Sequence, residues 1–204
     1  MVQGGFTVRL YGQGGEGMRV LGIDPGTLTS GYGIVAEEDH RLFHVASGGI
    51  SPSAKQPLPK RLKKIYEELE KIIEKYRPNC VVVEDLFVSK NMQSALKLGH
   101  ARGVAILAAM NAGLPVFEYA PTEVKQAVVG TGKAEKKQVQ LMVKTLLCLP
   151  KVPHPVDAAD ALAAAICHIH SSRLREILKN PSSLRQTGRG GSPRGVIVRK
   201  PQAV

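Results

Sequence analysis

The sequence predicts an α/β protein built on a mixed five-stranded sheet with helices on both faces. Three observations carry that expectation. The chain opens with three short apolar runs separated by polar turns, the pattern of an antiparallel meander. Helix-like and strand-like segments then alternate, which brings later strands into parallel alignment. One of those later runs, Cys80-Val-Val-Val-Glu84, is continuous and β-branched, as expected of a strand buried on both faces.

Taken in order, Arg19-Val-Leu-Gly-Ile23 is too short for a helix and reads as the first strand. It ends on Asp24, after which Pro25-Gly26 turns the chain sharply. Gly31 to Ala36 forms the second strand and, past Glu37-Glu38-Asp39, Leu42 to Ala46 the third. A Pro/Ser loop covers residues 51–59. Leu62, Ile65, Tyr66, Leu69, Ile72, Ile73 and Tyr76 then recur at helical spacing and predict an amphipathic helix over residues 58–77, closed by Pro78-Asn79. The Cys80–Glu84 strand follows, then a loop to Asn91. Residues 92–111 are rich in Ala, Leu and Gly and long enough for a helix of several turns, with Gly113 near its end. Pro115 introduces the strand Val116–Tyr119. A short helix starts at Pro121 and stops before Gly130-Thr-Gly132; Val139, Met142, Val143, Leu146 and Leu147 mark another. The last helix opens at Pro155 and runs to about Ser171.

Three regions result. Residues 1–17, holding six glycines and no sustained pattern, read as an N-terminal extension, either disordered or an expression remnant, and Met18 as the start of the folded domain. Residues 18–172 form that domain. Residues 173–204 form a basic tail whose Ser, Gly, Arg and Pro content argues against packing. The net charge is +11, and the tail carries eight Lys/Arg against Glu176 alone. A polyanionic partner is expected, nucleic acid above all, against a plain solvated charge block. No run of about 18 apolar residues is present, so no membrane span is expected. Cys80, Cys148 and Cys167, widely spaced in apolar surroundings, read as reduced core thiols of a cytoplasmic protein.

Asp24 and Glu84 share an anomaly, an acidic residue closing a buried apolar strand. Unpaired and ionised there, a carboxylate costs several kcal/mol or goes neutral. Asp24 alone could cap the following turn. If its strand and that of Glu84 are central and parallel, however, their carboxyl ends lie side by side, where open α/β sheets place their sites. Asp157 and Asp160, spaced i, i+3, share one helix face and sit in a first turn, where the dipole alone would favour them. Four converging carboxylates repel unless a cation lies among them. Oxygen ligands without a Cys/His cluster select Mg²⁺ or Mn²⁺. Two such ions about 4 Å apart suit in-line phosphoryl transfer, and a basic protein with that centre reads as a nuclease.

Five stretches, GIDPGTLTSGYG, VVVEDLFVSKN, SALKLGHARGVAI, VFEYAPTEVKQAVVGTGKAEKKQVQ and HPVDAADALAAAICH, resemble in that order the RuvC-type Holliday-junction resolvases of bacteria. The resemblance spans about Met18 to His170. It implies a ribonuclease H-like fold, a homodimer, and Mg²⁺-dependent paired nicking of opposing strands in four-way DNA junctions during recombination and repair, with Mn²⁺ as a substitute. It further implies a nucleoid-associated bacterial enzyme working with the RuvA–RuvB branch-migration complex. The family's catalytic and metal-holding carboxylates fall on Asp24, Glu84, Asp157 and Asp160, with Asp24 bridging two ions, Glu84 on one and the helix pair on the other. Some members carry His at the position of Asp157; His154 nearby has no assigned role. Lys125 and Lys136 match basic residues placed near the DNA backbone, Phe87 is positioned to stack on an unpaired base, and Arg102 is a further DNA-contact candidate. Small residues of the 92–111 helix, Ala101, Gly103, Ala105, Ala108 and Ala109, suit either close subunit approach or a tight monomer core. Two alternatives stand beside this reading. A non-cleaving junction-binding module would not need four intact carboxylates, and an actin-like ATPase or sugar kinase would need a second glycine-rich motif and about twice the length.

Overall fold

In a computed structural model, residues 17–85 and 92–179 are described. The meander is β1 (Met18–Asp24), β2 (Ser30–Glu38) and β3 (Arg41–Ile50). It is followed by α1 (Leu58–Tyr76), β4 (Cys80–Glu84), α2 (Met92–Asn111), β5 (Val116–Tyr119), α3 (Pro121–Val129), α4 (Lys136–Leu146) and α5 (Val156–Lys179). The five strands run in the order β3-β2-β1-β4-β5. β1 pairs antiparallel with β2 and β2 with β3, whereas β1–β4 and β4–β5 are parallel. The expected mixed sheet is thus the one found, with β1 at its centre.

Side chains alternate across the pleat and so build two cores. Leu21, Ile23, Ile34, Val81 and Val83 pack under α1 and α2, against Ile65, Leu69 and Ile73 and against Ala105, Ala108 and Ala109. Val20, Val35, Cys80 and Val82 face the other way, towards α3, α4 and α5, with Leu162, Ile166 and Ile169 at the centre. Each of those large side chains, when wholly buried, contributes roughly 1.5–3 kcal/mol. The Lys64–Glu68–Lys71 pairs on the outer face of α1 contribute far less, because exposed pairs are screened by water. Burial of the α1 stripe, Ile65-Leu69-Ile73 at i, i+4, i+8, therefore sets how α1 docks.

Three differences from expectation have clear causes. β3 extends to Ile50 because pairing with β2, out to Ser30↔Ile50, draws Ser47-Gly48-Gly49 into the ladder despite their weak strand preference. α5 continues past Ser171 to Lys179; residues 172–179 are basic, but Leu, Arg, Glu and Lys are also good helix formers. Cys148, expected in the core with the other cysteines, is exposed. It sits on the turn after α4 with φ of 50°, where Leu147 takes the buried position and Leu146 and Leu149 pack partly against the core. No described helix is long and apolar enough to cross a membrane.

Candidate active site

Asp24 closes β1 on the face shared by Val20 and Gly22, the face α5 covers. Glycines let α5 approach the sheet backbone. A side chain at Gly22 would run into the carbonyl of Ala161, and one at Gly33 would meet Leu162 N at 2.7 Å. Gly31, paired directly with Asp24, would collide with the backbone of Asp157. The first turn of α5 therefore sits against bare backbone beside Asp24, and this packing delivers Asp157 and Asp160. The turn after Asp24 is stitched by buried Ser30, whose hydroxyl accepts from Gly26 N (3.1 Å) and donates to Gly26 O (2.7 Å). Arg61 of α1 donates to the Thr27 carbonyl (3.3 Å).

Asp24, Asp157 and Asp160 each offer a carboxylate oxygen, all within 4.8 Å of one another. Glu84 is outside that tight trio but shares its face and field. Its strand is parallel to β1 with Ile23 opposite Val83, so Asp24 and Glu84 are the next residues on adjacent strand ends. Burial, then the charges of Glu84, Asp160 and Asp157, push the Asp24 carboxyl up to about 8. Burial also raises Glu84, with Asp160 adding to it, and raises Asp160 despite its bond to Lys136. Lys136 Nζ lies 2.6 Å from Asp160 Oδ2. Burial works against the lysine's charge, but the bond to Asp160 and the fields of Asp160, Asp24 and Asp157 outweigh it and hold its pKa above the ordinary value. Beside the trio is a cavity of about 200 Å³, lined by Glu84, Lys125, Lys136, Asp160, Val124 and Val139 among others. Acidic and basic groups thus share one slot at the carboxyl end of the central strands.

This donor set fits a hard divalent cation. It offers only carboxylate oxygens, and without a cation Asp24 would hold a proton near neutrality because burial and three acidic neighbours outweigh the opposing charge of Lys136. Of the other residues singled out by sequence, Lys125 and Lys136 line the slot. Arg102 pairs instead with Glu118 (2.7 Å) and Asp85 (3.4 Å). His154 is exposed and joined to Pro155 by a cis peptide bond. Phe87 lies outside the described residues.

Sequence reasoning missed the supporting residues. Gly31 and Gly33, two apart on one strand, point to one sheet face; that spacing is the signal for a close backbone approach. Gln126 gave no such signal. Its amide donates to Gly130 O (2.9 Å) and accepts from Gly132 N (3.1 Å), clamping the turn between α3 and α4 that leads to Lys136.

The sequence model of the family described as "Crossover junction endodeoxyribonuclease RuvC" matches residues 20–168. The chain belongs to the RuvC family. The RuvC of Citrifermentans bemidjiense is 56% identical over 163 residues, covering 80% of this chain and 99% of that protein; the RuvC of Geotalea uraniireducens is 56% identical over 162 residues, 79% of this chain and 94% of that protein. Among solved structures, Thermus thermophilus RuvC superposes with a TM-score of 0.71 at 36% identity, over 78% of this chain and 97% of that one. The same protein in complex with Holliday junction substrate gives 0.73 at 36% identity, over 78% and 96%. The yeast mitochondrial Holliday junction resolvase Ydc2, 13% identical with a TM-score of 0.58, shares the fold. The ribonuclease H-like architecture expected from sequence is therefore the architecture of this chain, and its acidic cluster sits in a RuvC nuclease domain.

Proposed function

We propose that the protein is a structure-selective endonuclease that resolves four-way DNA junctions by metal-dependent, paired nicking of opposing strands in recombination and repair. The observation that carries this is the convergence of Asp24, Asp157 and Asp160 within 4.8 Å at the end of the central strand, in a RuvC-family chain. The solved complex of a relative with Holliday junction substrate supports the choice of DNA.

Asp24, Glu84, Asp157 and Asp160 would hold two Mg²⁺, or Mn²⁺ in their place. When bound, such ions activate water and stabilise the leaving oxygen in phosphodiester hydrolysis. The chain's own residues do the rest. The carboxylates, pinned by a strand end and a helix start packed on glycine backbone, stay put without reorganisation. Lys125 and Lys136 line the slot on the side of α3 and α4, where a phosphate would be drawn in. Lys136 would exchange its carboxylate partner for that phosphate, and Phe87, outside the described residues, is the stacking candidate that the sequence resemblance supplies.

A homodimer suits a substrate with approximate two-fold symmetry, and α2 supports one. Ala101, Ala105, Ala108 and Ala109 are buried in the monomer core, so they serve packing within the subunit. The outward face is what remains apolar: Met92, Leu96, Leu107 and Met110 are exposed. Leu62, Leu96, Gly103 and Leu107 line a groove of about 600 Å³ there.

The test is cleavage of a synthetic four-way junction against linear duplex, with Mg²⁺, Mn²⁺ or chelator. Asp24→Asn should bind the junction with unchanged affinity and cut it about 10²–10³-fold more slowly, the effect of one lost electrostatic stabiliser. Cutting at the wild-type rate would sink the proposal. Tight junction binding by the wild type, with no cleavage under any metal, would favour the binding-module alternative.

A further inference from the structure

We propose that Arg102 is a positioning residue for the catalytic centre: it locks the carboxyl ends of β4 and β5 from behind and thereby fixes Glu84. Arg102 projects from the middle of α2 and its side chain is only 20% exposed. Its Nη2 lies 2.7 Å from Glu118 Oε2 and 3.4 Å from Asp85 Oδ1. Its Nε is buried and has no hydrogen-bond partner among the described residues. These two ion pairs give the guanidinium a role within the subunit, between the ends of two strands.

The pleat explains the consequence. Phe117 and Tyr119 of β5 face the α5 side, so Glu118 faces α2. In β4, Val81 and Val83 face α2, and Asp85 continues that series while Glu84 points to the carboxylates. Asp85 N donates to Tyr119 O (2.9 Å), one step beyond the Glu84↔Tyr119 pair. Arg102 therefore holds the residue after Glu84 and the residue before its cross-strand partner, both on the opposite face of the sheet. With those two points fixed, the Glu84 backbone has little freedom to tilt. Glu84 is the member of the acidic set outside the tight trio, so it is the one whose reach depends most on its strand end. Groups that hydrogen-bond a metal ligand directly change metal affinity or activity about 10–100-fold when removed, and Arg102, acting one residue away from Glu84, belongs at the lower end of that range.

The inference rests on reading Glu84 as a metal ligand, and the experiment separates the two claims. Wild type, Arg102→Gln, Arg102→Lys, Glu118→Gln and Asp24→Asn would be compared in three measurements: Mn²⁺ binding by loss of the free-ion paramagnetic resonance signal, single-turnover junction cleavage, and junction affinity against salt in chelator. Arg102→Gln and Glu118→Gln should each weaken Mn²⁺ binding and slow cleavage about tenfold, with Arg102→Lys between them and wild type. Junction affinity and its salt slope should stay as in wild type. Glu118 is 45% exposed, so its substitution spares the fold and carries the test should Arg102→Gln unfold. The opposite pattern overturns the inference: a salt slope lowered by about one, as when one phosphate is no longer engaged, with Mn²⁺ binding unmoved. Wild-type Mn²⁺ binding and cleavage in Glu118→Gln overturn it equally. Wild-type cleavage by Asp24→Asn would instead bring down the nuclease reading itself.

Discussion

Asp24 concentrates the chemistry at the scale of single residues. Its carboxyl is pushed from 3.8 to about 8 by burial and by three acidic neighbours. Between those values the folded protein holds a proton that the unfolded chain releases, so this contribution to stability is complete below about pH 4. It is lost as pH rises through about 8. In chelator, the melting temperature of the wild type should therefore fall across that window, and Asp24→Asn should become progressively more stable than wild type as pH rises. The gap reaches on the order of a few kcal/mol. Divalent cation should restore the wild type at pH 8 and do little for Asp24→Asn. A wild type whose chelator melting curve is flat from pH 4 to 8 would refute this account of the site's electrostatics. The same proton is displaced when a cation binds, so apparent metal affinity should climb with pH up to about 8.

The decisive packing between elements is that of α5 on the backbone of β1 and β2. Gly22, Gly31 and Gly33 have no room for a Cβ because Ala161, Asp157 and Leu162 occupy the space. Gly31→Ala should displace the first turn of α5, which carries Asp157 and Asp160, and abolish cleavage, with a stability loss of about 1–3 kcal/mol, as for overpacked cores. Gly103→Ala is the matched control. It adds the same methyl to a position open to space and, in a helix, should be neutral or slightly stabilising. Denaturant melts of the two variants check the stability comparison, and the cleavage rate of Gly31→Ala checks the loss of activity.

Across the whole molecule, apolar surface and charge decide how the chain meets its partners. The exposed face of α2 predicts that Leu96→Glu with Leu107→Glu yields a folded monomer by light scattering, and that this monomer loses paired nicking of a junction. A dimer of unchanged mass would place the subunit interface elsewhere. Residues 180–204 lie outside the described residues but carry five Lys/Arg and no acidic residue. Ending the chain after Lys179, where α5 stops, should weaken junction binding and flatten its salt dependence by about 0.9 in slope for each phosphate the shortened chain no longer neutralises. An unchanged slope would leave that segment without a DNA role.

The sequence by itself determined the element order and the mixed sheet, and it singled out the acidic residues that close β1 and β4 and open α5. Each of these is written in local pattern: β-branched runs, helical periodicity, and carboxylates where a buried strand should have none. Its charge pattern and five motif stretches also led to the right family. Only the tertiary structure decided how those residues meet. It turned the alanines of α2 inward and its leucines outward, put Cys148 on the surface, and engaged Arg102 with Glu118 and Asp85. It also set Lys136 against Asp160 and left Glu84 just outside the trio. Those outcomes depend on which face of an element another element covers, and that is settled by packing between segments distant in the chain. Gly31 shows the division most clearly. As a letter it reads as a residue of a weak strand; in the fold it is the space that lets Asp157 stand beside Asp24.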